Sequence, residues 1–155
     1  WKAREYGLHT RFIELAGVVN GQMPHYAVDK VVDALNRSRK SVNGAKVLVL
    51  GLTFKENCPD IRNSKVVDVV RELEKFGAQV DVHDPWVDSR EAKHEYGIKP
   101  VKAPKARSYD AVVLAVSHQQ FKDLGAAAVR RFGRKNAVVY DIKYLFKADQ
   151  VDGRL

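Results

Sequence analysis

The sequence predicts an α/β fold in which a parallel sheet carries helices on both faces and is preceded by a helical segment. Short apolar runs such as "KVLVL" and "DAVVLAV" are typical of strands that are buried on both faces. Amphipathic runs with helical spacing lie between them, and the two kinds of segment alternate. Such alternation requires right-handed crossovers between parallel strands, which is the pattern of a Rossmann-like domain.

Residues 1–43 are predicted to form the helical segment. Proline suits the first turn of a helix, and apolar positions keep helical spacing after Pro24. We therefore expect a helix to begin at Pro24 and to end between Ser38 and Val42. Its apolar positions are Ala27, Val28, Val31, Val32 and Leu35. Because the chain opens within a helical pattern and without methionine, we expect it to be a piece of a longer protein.

Residues 44–155 are predicted to form the Rossmann-like domain. After the first strand, "KVLVL", Ser64 can cap a helix that Gly77 ends. The inward stripe of that helix is predicted to be Val66, Val67, Val70, Leu73 and Phe76. The segments that follow are a second strand "AQVDVHD", a short helix "DSREAKHEYG", a third strand "YDAVVLAVS", a helix "GAAAVRRFG" and a fourth strand "NAVVYDI".

Composition narrows the class of partner. The 155 residues suit one domain with its own core, and the net charge of +8 favours an anionic ligand. The basic residues are spread along the chain without nucleic-acid-binding motifs, so a phosphorylated small molecule is favoured over nucleic acid. No apolar run is long enough to predict a membrane span. The single Cys58 excludes an intramolecular disulfide and fits a reducing compartment, so we expect a cytoplasmic location.

The stretch from Gly51 to Ser64, "GLTFKENCPDIRNS", is the first candidate for a binding site. In doubly wound sheets, ligands bind beyond the carboxyl ends of the strands. The segments "HDPW", "AVSHQQF" and "YDIKYLF" leave such ends too. The glycine fingerprint G-x-G-x-x-G is missing, so recognition must come from side chains. Lys55 and Arg62 offer cations for phosphate oxygens, and Phe54 can pack against a ring or plug the sheet.

Other polar residues allow structural explanations. Asp60 can cap a helix or orient Arg62, and Asp84 with Pro85 can form a turn. Cys58 has no histidine nearby in sequence that would activate it, so we interpret it as an incidental thiol. The histidines show no metal-ligand spacing, and no metal site is predicted. His118 follows a predicted strand, as does one other histidine, and it could line a cleft or hold a loop.

The chain also resembles a known family. The segments "GLTFKENCPDIRNSKVVDVVREL", "VDVHDPWV", "YDAVVLAVSHQQFKDL" and "VVYDIKYLF" are similar, in order and spacing, to the C-terminal domain of the UDP-glucose/GDP-mannose dehydrogenase family. The "AVSH-x-x-F" block resembles the branch that oxidises UDP-N-acetylhexosamines. The segment "RFIELAGVVNGQMP" resembles the end of the family's central, dimer-forming helix and the start of the next helix. The resemblance covers essentially the whole chain.

This resemblance implies an NAD-dependent, two-step oxidation of the sugar C6 alcohol to a carboxylate by a homodimeric enzyme. In the family, NAD lies mainly on an N-terminal domain, and the nucleophilic cysteine lies in a G-G-x-C motif. Neither that motif nor the glycine fingerprint is in this sequence, so no catalytic residue is assigned. Residues 44–155 are then a UDP-sugar-binding domain. Alone, the chain is expected to bind UDP weakly and to show no turnover.

The resemblance also assigns site residues. Phe54 and Lys55 match positions that contact the UDP-sugar substrate, and Arg62 matches an arginine that reaches NAD, with Asp60 and Ser64 as supporting positions. Lys143 falls where many relatives carry an arginine that grips the substrate of the neighbouring subunit. Lysine there departs from the commoner pattern while keeping the positive charge.

Two other readings of the residues remain open. One is a non-catalytic nucleotide- or CoA-binding Rossmann-like module, which would bind a different nucleotide. The other is a basic nucleic-acid-binding domain, whose affinity would depend steeply on salt.

Overall fold

The structure, a computed structural model, describes residues 11–155, and a single parallel sheet is its centre. The sheet has five strands in the order β2-β1-β3-β4-β5. The strands are β1 (Lys46–Leu50), β2 (Gln79–His83), β3 (Tyr109–Leu114), β4 (Gly133–Asp141) and β5 (Gly153–Arg154). The helices are α1 (Arg11–Arg37), α2 (Val66–Lys75), α3 (Ser89–Tyr96), α4 (Gln119–Leu124) and α5 (Ala126–Arg130), with a 3₁₀ turn at Ala148–Gln150. The predicted α/β fold is confirmed. Residues 1–10 of the predicted helical segment lie outside the described residues.

The helices cover both faces of the sheet, as the apolar strands predicted. Along β1, Val47 and Val49 belong to one core cluster, which also contains residues from α1, α2 and α3. Leu48 and Leu50 point to the other face and pack with Phe121 of α4 and Val129 of α5. Successive side chains of a strand alternate between faces, so both faces of this strand are apolar. The two clusters make a three-layer domain.

Helix α1 is continuous across Pro24, and the prediction of a helix that begins at this proline is wrong. Pro24 lies inside the helix, is buried, and cannot donate the hydrogen bond that a helical residue gives to the carbonyl four positions earlier. The burial of the positions after Pro24 agrees with the predicted helical spacing. Ala27, Val28, Val31 and Leu35 are all buried against the sheet. The segment "RFIELAGVVNGQMP" is therefore part of one helix rather than a junction between two.

Ser64 supplies a side-chain acceptor at the start of α2, one residue before the N-cap position, Lys65, whose own side chain makes no capping bond. Its hydroxyl accepts a hydrogen bond from the backbone N–H of Val66 at 3.3 Å, as a capping residue does. Phe76, in contrast, was predicted to face inward and is 42% exposed, because α2 ends at Lys75. Two short elements, α4 and β5, are not predicted from the sequence.

Within residues 11–155, no helix has both the length and the apolar character that a bilayer span requires.

Gly51 allows the chain to leave the sheet after β1. Its φ is +98°, in the region that favours glycine. A Cβ atom at this position would lie 2.5 Å from the Cβ of Val116 and 2.8 Å from its backbone nitrogen. Its own N–H donates to the carbonyl of His83 at 2.8 Å. The backbone strands that meet here leave no room for a side chain.

We predict that Gly51→Ala lowers the free energy of unfolding by about 2–4 kcal/mol, since it adds backbone strain and overlap with Val116. Gly44→Ala is the matched control. Gly44 also has a positive φ, +80°, but its added Cβ would meet nothing within 4 Å, so about 1 kcal/mol is expected. Urea denaturation of both variants measures the difference. Equal losses would contradict the role assigned to Val116.

Candidate functional site

Four loops meet at the carboxyl edge of the sheet, where the candidate site lies. The longest, which we call the crossover loop, comprises residues 51–65 between β1 and α2. The others follow β2, β3 and β4. Because all the strands are parallel, these loops emerge side by side at one edge.

A buried carboxylate joins three of these loops. Asp84, directly after β2, is 7% exposed, and its Oδ2 accepts hydrogen bonds from the backbone N–H groups of Leu52 and Thr53 at 2.6 and 3.1 Å. The same oxygen lies 3.0 Å from Nε2 of His118, which follows β3 and has no exposed surface. Its Oδ1 accepts from the N–H of Trp86 at 2.8 Å. One side chain thus fixes the start of the crossover loop to the ends of β2 and β3, the two strands that flank β1.

The environment of Asp84 keeps its carboxyl group ionised. Burial alone would raise its pKa, but the hydrogen bonds from His118 and from the backbone of Leu52 and Trp86 outweigh that effect. The pKa of Asp84 consequently lies below its ordinary value of 3.8. A negative charge is therefore held beneath the loop at neutral pH.

The crossover loop presents a carboxylate–guanidinium pair at its surface. Asp60 accepts from Nε and Nη2 of Arg62 at 3.0 and 2.9 Å, and from the backbone N–H of Arg62 at 2.9 Å. The hydrogen bonds from Arg62, with a smaller contribution from the charge of Lys55, lower the pKa of Asp60 to about 2. The Arg62 side chain remains 80% exposed. Of the roles considered for Asp60, the orientation of Arg62 is the one that the structure shows.

The predicted site residues form two groups. Phe54, which is 59% exposed, and Lys143 both line a cleft of about 610 Å³ between the crossover loop, α1 and the loop after β4. Lys55 and Arg62 do not line this cleft and instead share Asp60 as an electrostatic neighbour. Of the three predicted cations, Lys143 is the one that shares the cleft with Phe54.

The loop that carries Lys143 is fixed in a similar way to the crossover loop. Asp141, at the end of β4, has no exposed surface. Its Oδ1 accepts from the backbone N–H of Lys143 at 2.9 Å, and its Oδ2 accepts from that of Phe146 at 2.8 Å. In both loops an aspartate at a strand end takes up backbone N–H groups, while the lysine side chains remain free to meet a ligand.

Sequence reasoning missed part of this arrangement. His118 is completely buried and does not line a cleft, and Asp84 does far more than form a turn. One signal could have revealed the pair, since the acid and the imidazole each follow a buried strand closely. Asn57 was not singled out, although its φ of +54° is a conformation that asparagine tolerates better than most residues. Cys58 is half-buried in the same loop. Across residues 11–155, no cluster of three or more His, Cys, Asp or Glu side chains is arranged to hold a metal ion.

Comparison with known proteins identifies the family. The sequence profile described as "UDP-glucose/GDP-mannose dehydrogenase family, UDP binding domain" matches residues 48–148, which include the crossover loop and the strand ends that hold it. The chain belongs to this family. The resemblance seen in the sequence is thereby confirmed.

Individual relatives agree with that membership. The chain is 49% identical over 154 residues to a UDP-N-acetyl-D-glucosamine 6-dehydrogenase of Pseudomonas aeruginosa. It is 45% identical to a protein of the same name from Salmonella typhi. In both comparisons 99% of this chain aligns, and the chain spans 36% of the relative's length.

Solved structures show the same fold. A UDP-glucose dehydrogenase from Pyrobaculum islandicum superposes with a TM-score of 0.78 at 31% identity, covering 98% of this chain and 33% of that one. An NDP-N-acetyl-D-galactosaminuronic acid dehydrogenase from Methanosarcina mazei Go1 gives a TM-score of 0.78 at 29% identity, covering 88% and 28%.

We predict that Asp84→Asn destabilises the chain by about 2–4 kcal/mol at pH 7, because an amide offers one acceptor oxygen where the carboxylate satisfies several donors. A carboxyl group whose pKa is lowered by folding adds stability above its unfolded-state pKa. That stability disappears as the pH falls below about 4 and through the folded-state pKa. The variant should therefore lose less stability than the wild type between pH 5 and pH 2, measured by urea denaturation.

The surface variant Asp149→Asn, which makes the same change in charge on an exposed residue, is the control and should keep the wild-type pH profile. An acid limb as steep in Asp84→Asn as in the wild type would argue against the lowered pKa.

Proposed function

We propose that this chain is the UDP-binding part of an NAD-dependent UDP-N-acetylhexosamine 6-dehydrogenase, which oxidises the C6 alcohol of the sugar to the uronic acid. The crossover loop carries the proposal, because it is rigidly anchored by Asp84, exposes cations, and lies within the matched UDP-binding region. The relatives from Pseudomonas aeruginosa and Salmonella typhi support an N-acetylated hexosamine as the sugar. The closest assignment is UDP-N-acetylglucosamine or UDP-N-acetylgalactosamine.

In this proposal, side chains replace the glycine-rich backbone of a dinucleotide fingerprint. The exposed Lys55 offers a point charge to the diphosphate of the UDP-sugar. Phe54, which lines the cleft, meets the same substrate. Lys143 is proposed to meet the substrate of the neighbouring subunit, where its positive charge serves in place of arginine. Folding fixes the backbone beneath these residues in advance, so less conformational entropy is lost on binding.

Arg62 is the residue proposed to meet NAD. Its guanidinium is exposed and is held by Asp60 in a fixed orientation, which fits an anionic cofactor approaching from a neighbouring domain. Bound NAD would supply the hydride acceptor for each of the two oxidations. This chain would contribute substrate binding, cofactor orientation and exclusion of water as two domains close over the reacting atoms.

We also propose that the whole enzyme is a homodimer. The first half of α1 exposes a stripe at spacings of three and four residues, made of Phe12, Leu15, Val19, Met23 and Tyr26. These side chains are between 39% and 85% exposed, and a second copy of the helix would cover them. Sedimentation of the longer polypeptide tests this, because Val19→Glu should shift a dimer towards monomer.

The product class suggests a cellular role. A UDP-linked uronic acid is a building unit for surface polysaccharides, and a relative that is 34% identical is named CapL in Staphylococcus aureus. We therefore place the activity in cytoplasmic precursor synthesis for a capsule or O-antigen.

Calorimetric titration with UDP tests the binding role. Lys55→Ala should weaken UDP binding about tenfold, since it removes a charge-assisted contact with the diphosphate. Lys135→Ala is the control with the same change in charge. Lys135 is exposed at the start of β4, far along the strand from the carboxyl edge, and its loss should leave the affinity unchanged. If the wild-type chain bound CoA or RNA but did not bind UDP, the proposed function would be wrong.

A second prediction separates substrate from cofactor. In the longer polypeptide, Arg62→Ala should raise the KM for NAD about tenfold and leave the affinity for UDP unchanged, because one charged contact is lost from the cofactor alone. Arg90→Ala is the control, since Arg90 is also exposed and paired with an aspartate, Asp88. If UDP affinity fell and the KM for NAD did not change, Arg62 would belong to the substrate site.

A further inference from the structure

His118, which follows β3, is hydrogen-bonded to the crossover loop and to Asp84 after β2. Its Nε2 lies 3.0 Å from Oδ2 of Asp84 and 3.1 Å from Oγ1 of Thr53. Its Nδ1 lies 3.0 Å from the backbone nitrogen of Asn57. Each ring nitrogen therefore has a polar partner, although the imidazole is fully buried.

These partners fix the protonation state of the ring. A backbone N–H can only donate, so Nδ1 must accept from Asn57 and carries no proton. The ring proton is then on Nε2, where the ionised Asp84 accepts it. The Thr53 hydroxyl donates to the carbonyl of Lys55 at 2.9 Å, which leaves its oxygen free to accept from Nε2 as well. The ring is thus a neutral imidazole in a single tautomer.

The contacts of this tautomer define the backbone on both sides of the proposed binding residues. Thr53 lies just before Phe54 and Lys55, and Asn57 lies just after them. The side-chain Oδ1 of Asn57 accepts from the backbone N–H of Gln119 at 2.9 Å. Asn57 therefore bonds both to the ring of His118 and to the residue that follows His118. The edge of Phe121 packs against the imidazole at 5.5 Å between centroids. Burial, ring packing and bonds at both nitrogens therefore all act on the imidazole.

We propose that His118 is a positioning residue for the nucleotide-sugar, which it never touches. It holds residues 53–57 in the conformation that presents Phe54 and Lys55, and the essential contact is the bond that Nδ1 accepts from Asn57. This role rests on the proposed function, since it specifies how the same loop becomes able to bind.

Two conservative variants separate the two halves of the ring. The Oδ1 of asparagine lies near the place of Nδ1, so His118→Asn keeps an acceptor for Asn57 and loses the donor to Asp84. The amide nitrogen of glutamine lies near the place of Nε2, so His118→Gln keeps the donor and loses the acceptor. If the role of His118 were purely structural, both variants would be destabilised, and UDP affinity would fall together with stability.

Calorimetric titration with UDP, at a temperature at which each variant is fully folded by circular dichroism, distinguishes these cases. We expect His118→Gln to weaken UDP binding about tenfold and His118→Asn to remain within about threefold of the wild type.

The tautomer has its own readout. Long-range ¹H–¹⁵N NMR of the imidazole should show Nδ1 without a proton and Nε2 with one across neutral pH. A proton on Nδ1, or equal UDP affinity in wild type and His118→Gln, would overturn the positioning role while leaving UDP binding intact. A wild-type chain that does not bind UDP would overturn the proposed function itself, and this role with it.

Discussion

The Oδ2 atom of Asp84 is the point on which the binding edge of this domain depends. It accepts from two successive backbone N–H groups at the start of the crossover loop and from the imidazole of His118. A buried charge is unfavourable unless its hydrogen bonds compensate for lost hydration, and here the acceptor follows β2 while its donors follow β1 and β3. The charge can be satisfied only when those strands are paired. Sheet assembly and loop conformation are therefore parts of one cooperative event.

This arrangement separates stability from recognition within a single loop. Residues that point downward, such as Thr53 and Ile61, are buried and hold the loop to the domain. Residues that point outward, such as Phe54 and Lys55, are exposed and take little part in holding it. A loop of this kind can carry several cations without a glycine-rich backbone, because folding has already restricted its conformation. The loop after β4, with Asp141 below and Lys143 above, follows the same plan.

Most of the fold could be predicted from the sequence because its signals are local. An apolar strand such as "KVLVL" reveals that it is buried on both faces, and Ser64 reveals a helix start by its chemistry. Pro24 misled the prediction because proline is favoured in the first turn of a helix and disfavoured in its interior, where it removes a backbone hydrogen bond. The buried positions after it, such as Val28 and Leu35, fit a helix that begins at Pro24 as well as one that continues through it. The strand β5 has two residues and no periodicity to detect.

The candidate site was predictable in its residue types and not in its connections. Lys55 and Arg62 attracted attention because cations on a long crossover are unusual. The partnership of Asp84, His118 and Asn57 spans separations of 34 and 61 positions along the chain, and only the sheet order brings these residues together. When contacting side chains are far apart along the chain, the sequence shows which residues could take part in a site. Which of them contact one another depends on the order of the strands in the sheet.

The uninterrupted course of α1 has a geometric consequence. Its first half bears the exposed apolar stripe and its second half is embedded in the domain. Because the helix is continuous, the direction in which the stripe faces is fixed relative to the domain. Each residue of a helix turns by about 100° and rises by about 1.5 Å. One residue inserted near Pro24 would rotate the stripe by about 100° about the helix axis, whereas seven inserted residues would return it almost to its original direction. Insertions and deletions in α1 therefore change the direction in which the stripe faces as well as its distance from the domain.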